Sequence, residues 1–386
     1  MNALKIILFF ICYLLNGWIM AQTQRTYLFL QPFHIDIDPM ERLLLINIEK
    51  DPDSVYIGFE PQVFNDPKNG KGHLVIGWRV DGRVDVYYQQ SLHMDPTKYD
   101  IAGKGLAHMI PTTMDFAYYE VLDFGVDAHY EFKDLRGRSV KLLIQERHPR
   151  KRQPFGLLAP MGDAAESPSA MPLVLLHDFY FVRRNNTVIE VAIDGRKHKP
   201  DRLPILMDFT KMYFARYSPD PLIATFNPSQ REAPCNVHEV DDQTKLIEAD
   251  GHTIHFERSN GALRIDRIHY YSGTHPISLH FIKGFPDLLS LEMGAFYQDQ
   301  FIIEGDPSTG KIAGHYHVKV EVDHITLQLI PSGGWKPKID KFSLRFMYTV
   351  AKVFKKWPST YQWEARISCT TQDGFIINSE WERIKP

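Results

Sequence analysis

The chain has 386 residues, a formal charge of −3 and 44% hydrophobic residues. That length accommodates two domains of ordinary size with real cores. The near-neutral balance excludes a nucleic-acid footprint or a polyanion sink.

In chain order, Lys5 precedes an unbroken apolar run from Ile6 to Leu15, and small Ala21 stands just before Gln22. This is the layout of a signal peptide over 1–21, cleaved after Ala21. The run falls short of the roughly 20 residues a spanning helix needs. The mature chain is therefore expected to be exported, periplasmic or extracellular, with no transmembrane span. Cys12 lies inside the run, so no lipoprotein anchor is expected. Cleavage leaves Cys235 and Cys369, and their pairing is open from sequence alone. Asn185 opens an Asn-Asn-Thr sequon, used only in a host with that machinery.

From there the chain repeats short β-prone runs broken by Asp-Gly, Asn-Asn and Asn-Gly pairs, which predicts antiparallel strands. In "HLVIGWRVDGRVDVYY", a loop at Asp81-Gly82-Arg83 would pair Trp78 with Val86 and set Arg79 opposite Asp85. In "HDFYFVRRNNTVIEVAI", a loop at Arg184-Asn185-Asn186 would pair Phe181 with Ile189 and Phe179 with Val191. His177 would then share an apolar face with Phe179 and Phe181. In "TIHFERSNGALRIDRI", an Asn260-Gly261 turn would pair Phe256 with Ile265, Glu257 with Arg264 and His255 with Asp266. In "GHYHVKVEVDHITLQLIP", a two-residue turn at Asp323-His324 would pair Val320 with Leu327.

Proline-rich 199–225 reads as a junction between an N-terminal β domain, 25–200, and a C-terminal one, 225–386. The stretch 148–172 reads either as a flap over a cavity or as an extended surface connection. One late helix, about 345–357, puts Phe346, Val350, Val353, Phe354 and Trp357 on one face, and Pro358 stops it. It suits a helix packed across the end of a barrel. The expected fold is all-β with minor helix: two packed antiparallel domains, barrel-like (lipocalin-like) or sandwich.

No GxxxxGK[ST], GxSxG or HExxH motif occurs, and "GDPSTGK" at 305–311 reads as a hairpin loop. The resource is seventeen histidines. His255 beside Asp266 is the catalytic candidate, because a carboxylate orients an imidazole for base chemistry. On that face Glu257 and Arg264 equally suit a solvated charged surface. His177, Phe179 and Phe181 are the ligand-binding candidates, a polar anchor among apolar walls; the bland alternative is a satisfied core histidine. Tyr87, Tyr88, Tyr118 and Tyr119 offer further walls or plain core. His315 and His317 point the same way from one strand, but Lys319 beside them disfavours a cation and His324 is out of reach. No metal and no cofactor are expected.

The signal peptide, the two β-rich halves and the late helix with Trp357, Trp363 and Trp381 near the end resemble exported tandem lipocalin-like proteins of the carotenoid-hydratase type. The resemblance is architectural and covers 25–386. No motif accompanies it, the opening strand "RTYLFLQPFHIDID" lacks the tryptophans of that family, and no family residue is carried over. It implies two β-barrels and a lipophilic small molecule. The expected function is exported binding of a small hydrophobic molecule. The rivals are a hydratase- or isomerase-type enzyme and a glycan- or protein-interaction module. A deep cavity would separate the first two from the third.

Overall fold

The computed structural model describes residues 26–99, 105–159, 168–259, 261–271, 275–350, 357–370 and 374–384. The expected signal peptide, Asn260, the centre of the 148–172 stretch and the helix tail 351–356 lie outside them. The described residues form an all-β fold with twenty-eight strands and one α-helix, α1 (Phe342–Val350). None of their helices is long and apolar enough to cross a membrane.

Three larger sheets carry the architecture. An eleven-stranded sheet takes most strands between Ile35 and Phe226. A five-stranded sheet runs from Met114–Leu122 to Arg196–His198. A ten-stranded sheet begins at Gln230–Pro234 and is a meander from Leu246–Ala249 to Gly374–Arg383. Strand Tyr27–Gln31 forms a small ladder with Asn236–Val240. From there Phe29, Leu30 and Phe33, all fully buried, run into the meander. Phe33 packs on Phe281, Phe285 and Trp363, and Phe29 on Phe256. Each such side chain contributes roughly 1.5–3 kcal/mol of burial. The beginning of the described chain thus helps fill the meander's core.

Strands Tyr56–Asp66 and Met171–Arg183 of the eleven-stranded sheet are buried on both faces, so they lack the expected polar alternation. In Tyr56–Asp66, Phe59 and Val63 face the five-stranded sheet, whereas Glu60, Gln62 and Phe64 face the opposite side, where a cavity opens. The two sheets are bolted by a buried ion pair, Arg183 Nε to Glu146 Oε1 at 2.5 Å.

Three points left open by the sequence take definite form. Within the 199–225 stretch, Arg202–Met207, Thr210–Ser218 and Asp220–Phe226 are strands of the eleven-stranded sheet. The 148–172 stretch contributes strand Phe155–Ala159, paired to Met171–Arg183. Cys235 is a free, buried thiol, so it is not joined to Cys369.

Two hairpins form with a register shifted by two residues, which keeps every side chain on its expected face. Trp78 pairs with Val84, because Gly82, at φ 82°, takes the third loop position and Arg79 bonds Arg83. That position needs the left-handed conformation glycine adopts freely. Arg79 and Asp85 still form an ion pair at 2.9 Å. Val320 pairs with Ile325 across a turn that takes in Glu321, whose carboxylate holds Lys319 and His324.

The third hairpin pairs Phe256 with Ile265 and Glu257 with Arg264 as expected, but a bulge sets His255 opposite Arg267. The register also shifts on the other side of the same strand. Asp266 is the extra residue, opposed in neither ladder.

The fourth expected hairpin does not form. Thr187–Ile193 pairs with Ser139–Glu146 in the five-stranded sheet. Strand Met171–Arg183 stays in the eleven-stranded sheet, where its first half pairs with Asp220–Phe226 and its last residues with Thr210–Ser218. That strand is buried on both faces, so alternation could not choose its partner.

Candidate functional site

The eleven-stranded sheet curls around a cavity of about 660 Å³. That size falls in the range of small-molecule sites, roughly 300–1,000 Å³. Its walls are mainly apolar, among them Leu43, Leu157, Val174, Phe179, Phe181 and Phe214. From α1, Met347 and Val350 also line it, so the helix lies against this cavity.

Four polar side chains gather on one wall. Glu60 sits opposite Ile76 and Arg216 opposite Leu45, two strands further along the sheet. The Gln62 amide donates to Glu60 Oε1 at 2.8 Å, and Trp78 Nε1 donates to Glu60 Oε2 at 3.1 Å. Burial is the largest influence on Glu60 and pushes its carboxyl above the usual range; the bonds from Gln62 and Trp78 and the charge of Arg216 pull back only in part. Such a group is poised to hold a proton.

Arg216 is the most informative of the four. Its guanidinium donates to Asn47 Oδ1 at 2.7 Å and lies 4.4 Å from the centre of the Phe214 ring. Among the described residues it has no carboxylate within ion-pair distance. Burial draws it down to about 10, against the pull of Glu60 and Glu49, so it remains a cation at neutral pH. A half-buried cation without an ion-pair partner in an apolar cavity is costly to the fold. Asp36, Asp38 and Lys98 also line the cavity, but these are paired, with Lys98 bound to Asp38 at 2.7 Å and Lys68 to Asp36 at 2.8 Å.

The expected ligand-binding trio is split. Phe179 and Phe181 line the cavity and His177 does not. Before Asp178 the even-numbered residues Pro172, Val174 and Leu176 face inward; after it the odd-numbered ones do. Asp178 has φ 48°, and this left-handed residue reverses the alternation. His177 instead lies at the seam with the ten-stranded sheet. Its ring stacks on His275 at 3.7 Å, and its Nδ1 bonds the carbonyl of Asp220 at 2.9 Å.

The expected catalytic pair is not brought together. Asp266 Oδ1 lies 3.3 Å from His280 Nε2, and His255 packs edge-on against His269 at 5.1 Å. His315 and His317 lie with ring centres 5.0 Å apart on one face, where His315 bonds Ser332. His324 is held by Asp323 and Glu321. Tyr87 and Tyr119 are buried and hydrogen-bonded, to Tyr56 and to the Leu43 carbonyl, while Tyr118 is exposed and bonds Glu120. Neither these three nor Tyr88 lines the cavity.

Sequence reasoning passed over Glu60, Gln62 and Arg216. Their signal is present: "FEPQVF" sets two polar residues at strand spacing in an apolar run, and "MYFARYS" carries one charge among aromatics. A polar residue inside a doubly buried strand marks a pocket or a buried network. No protein-family model, no curated protein and no solved structure matches the chain.

Proposed function

We propose that this protein is an exported binding protein for a lipophilic small molecule carrying a hydrogen-bond-accepting head, of which a long-chain carboxylate is the type. The observation that carries the reading is Arg216: a cation without an ion-pair partner among the described residues, on the wall of a large apolar cavity. An acceptor head would satisfy it, and the apolar walls would take the tail. Glu60 would repel a carboxylate if ionised, but its raised pKa favours the neutral form that donates a hydrogen bond instead. Export rests on the order of residues 1–21.

The test is direct. Extracts of the purified native protein are examined by mass spectrometry for co-purifying lipophiles. The delipidated protein is then titrated with the fluorescent polyene carboxylate cis-parinaric acid. Saturable binding at one equivalent is expected, and Val174→Phe, which fills the cavity, abolishes it. Absence of saturable binding, or binding indifferent to Val174→Phe in a folded variant, refutes the reading.

A second reading, acid–base chemistry on the bound molecule by a hydratase or isomerase, is favoured by Glu60 alone. A carboxyl held above its usual range inside a cavity is a competent proton donor. Recovery of a chemically altered ligand by wild type, and of an unaltered one by Glu60→Gln, would promote it over simple binding.

A further inference from the structure

We propose that His177, Asp220 and His275 bind a divalent transition-metal ion of the zinc class at the seam between the eleven-stranded and ten-stranded sheets. Each of the three offers a ligand atom, and these atoms all lie within 4.8 Å of one another. Around a tetrahedral ion with bonds of roughly 2.0–2.2 Å, ligand atoms stand roughly 3.3–3.6 Å apart. To reach that spacing Asp220 and His275, now 2.6 Å apart, must open by roughly 1 Å while the others close.

The chemistry of His177 points to an ion. The Asp220 carbonyl only accepts, so His177 Nδ1, bonded to it at 2.9 Å, carries the proton. That leaves Nε2 with its lone pair. His177 is 5% exposed, and Nε2 is buried with no hydrogen-bond partner. The ring lies flat against His275, at an interplanar angle of 8° and 3.7 Å between centres, so the two rings are neighbours, and ligation requires the His275 ring to turn out of the stack until its in-plane lone pair converges with that of Nε2. A buried acceptor without a donor is costly, and a carbonyl that fixes the tautomer of an imidazole is the usual support of a metal-binding histidine.

The charges around it agree. Asp220 Oδ2 bonds His275 Nε2 at 2.6 Å. Among the described residues Asp306, from the loop Gly305–Gly310, is a second carboxylate close enough to interact electrostatically with both rings. Its carboxylate accepts from the Ser308 amide at 2.7 Å. Two carboxylates beside two imidazoles make a net negative site. On binding, the ion takes the lone pair of His275 Nε2 and an oxygen of Asp220; the Nε2 proton goes to water while Nδ1 takes one up, so His275 remains a neutral imidazole.

The position gives the ion a role. His177 and Asp220 are register partners in the eleven-stranded sheet, while His275 stands two residues before the ten-stranded sheet's strand Ile277–Pro286. The seam beside them is tight. A Cβ on Gly156 would stand 2.2 Å from the Ser308 carbonyl oxygen, and one on Gly305 2.7 Å from Leu175. An ion here would tie together two sheets that already fit closely.

The experiment uses tag-free full-length protein stripped with EDTA and titrated with zinc chloride by calorimetry, with cobalt(II) absorption reporting geometry. One equivalent of zinc is expected, with a tetrahedral cobalt spectrum and a higher melting temperature in zinc. His275→Ala should lose the equivalent and the zinc-dependent shift while melting near wild type without metal. If His275→Ala fails to unfold cooperatively, Asp220→Asn, which keeps the carbonyl contact to His177, takes its place and should weaken binding tenfold or more. The double variant His315→Ala/His317→Ala should retain the equivalent. No zinc bound at 100-fold excess, retention of the equivalent in the folded seam variant, or its loss in the His315/His317 variant overturns the proposal.

Discussion

His177 and Phe179, two residues apart in one strand, face opposite sides of the eleven-stranded sheet, because Asp178 between them holds φ at 48°. A two-residue separation in an undistorted strand would put both on one face. The cavity therefore belongs to Phe179 and Phe181, and the seam to His177.

The first prediction follows from that division. Phe179→Ala or Phe181→Ala should weaken cis-parinaric acid binding about tenfold, because an aromatic ring buried against the ligand contributes roughly 1–2 kcal/mol. His177→Asn should leave the affinity unchanged. Fluorescence titration of the three variants decides it. Equal weakening by His177→Asn would return that histidine to the cavity.

The second prediction concerns Arg216. Arg216→Met keeps the long side chain and removes the charge. Affinity for the carboxylate should fall about tenfold or more, whereas affinity for the matching neutral alcohol should hold or rise. Parallel loss for both ligands would mean that Arg216 shapes the cavity without meeting the head.

Much of the fold was legible because alternation and turn chemistry are local. The faces of the Trp78 and Val320 hairpins were readable even where the register was not, since a two-residue slip preserves parity. Glycine chemistry pointed to the right turn at position 82, although Gly82 occupies the third loop position and not the expected second. Long-range partners were a different matter. Met171–Arg183 is buried on both faces, so nothing local says that it pairs with Asp220–Phe226 and not with Thr187–Ile193. The candidate site depended on the same information. Arg216 and Glu60 are 156 positions apart in sequence, and His275 reaches His177 only through packing of two sheets. The bulge at Asp266 had no signal either, because it is set jointly by two flanking strands.

The third prediction tests the bolt between sheets. Glu146 and Arg183 are almost wholly buried, and Arg183 also donates to the carbonyls of Arg150 and Phe124. Glu146→Ala leaves the guanidinium uncompensated and should destabilise by about 3–5 kcal/mol. The double variant Glu146→Leu/Arg183→Met should recover much of that loss. Denaturant midpoints, with slopes compared, measure both. A mild effect of Glu146→Ala would show that the carbonyls alone support Arg183.

The last prediction is acid sensitivity from His73. Its Nδ1 meets the Tyr130 hydroxyl at 3.0 Å between the eleven- and five-stranded sheets. Burial, and next the charge of Arg42, hold His73 down to about 4. Its ordinary value in an unfolded chain is about 6.5. Below that value the unfolded chain takes up a proton that the folded chain refuses. The stability His73 contributes is thus complete above about pH 6.5, is lost as pH falls through its folded value near 4, and changes little below that. The slope within the window approaches 1.4 kcal/mol per pH unit, a total on the order of 3 kcal/mol. Other histidines shift the same way, His177 and His269 among them, so the wild-type curve alone does not isolate one residue. His73→Gln does, because Gln does not titrate and still reaches Tyr130. The stability difference between wild type and His73→Gln should be constant above pH 6.5 and move against wild type from there to pH 4. Glu60 has the opposite sign, since its raised carboxyl favours the fold at acid pH and loses that contribution as pH rises; it is common to both proteins and cancels. A difference that stays flat between pH 7 and pH 4 would mean that the folded protein accepts a proton on His73 as readily as the unfolded chain does.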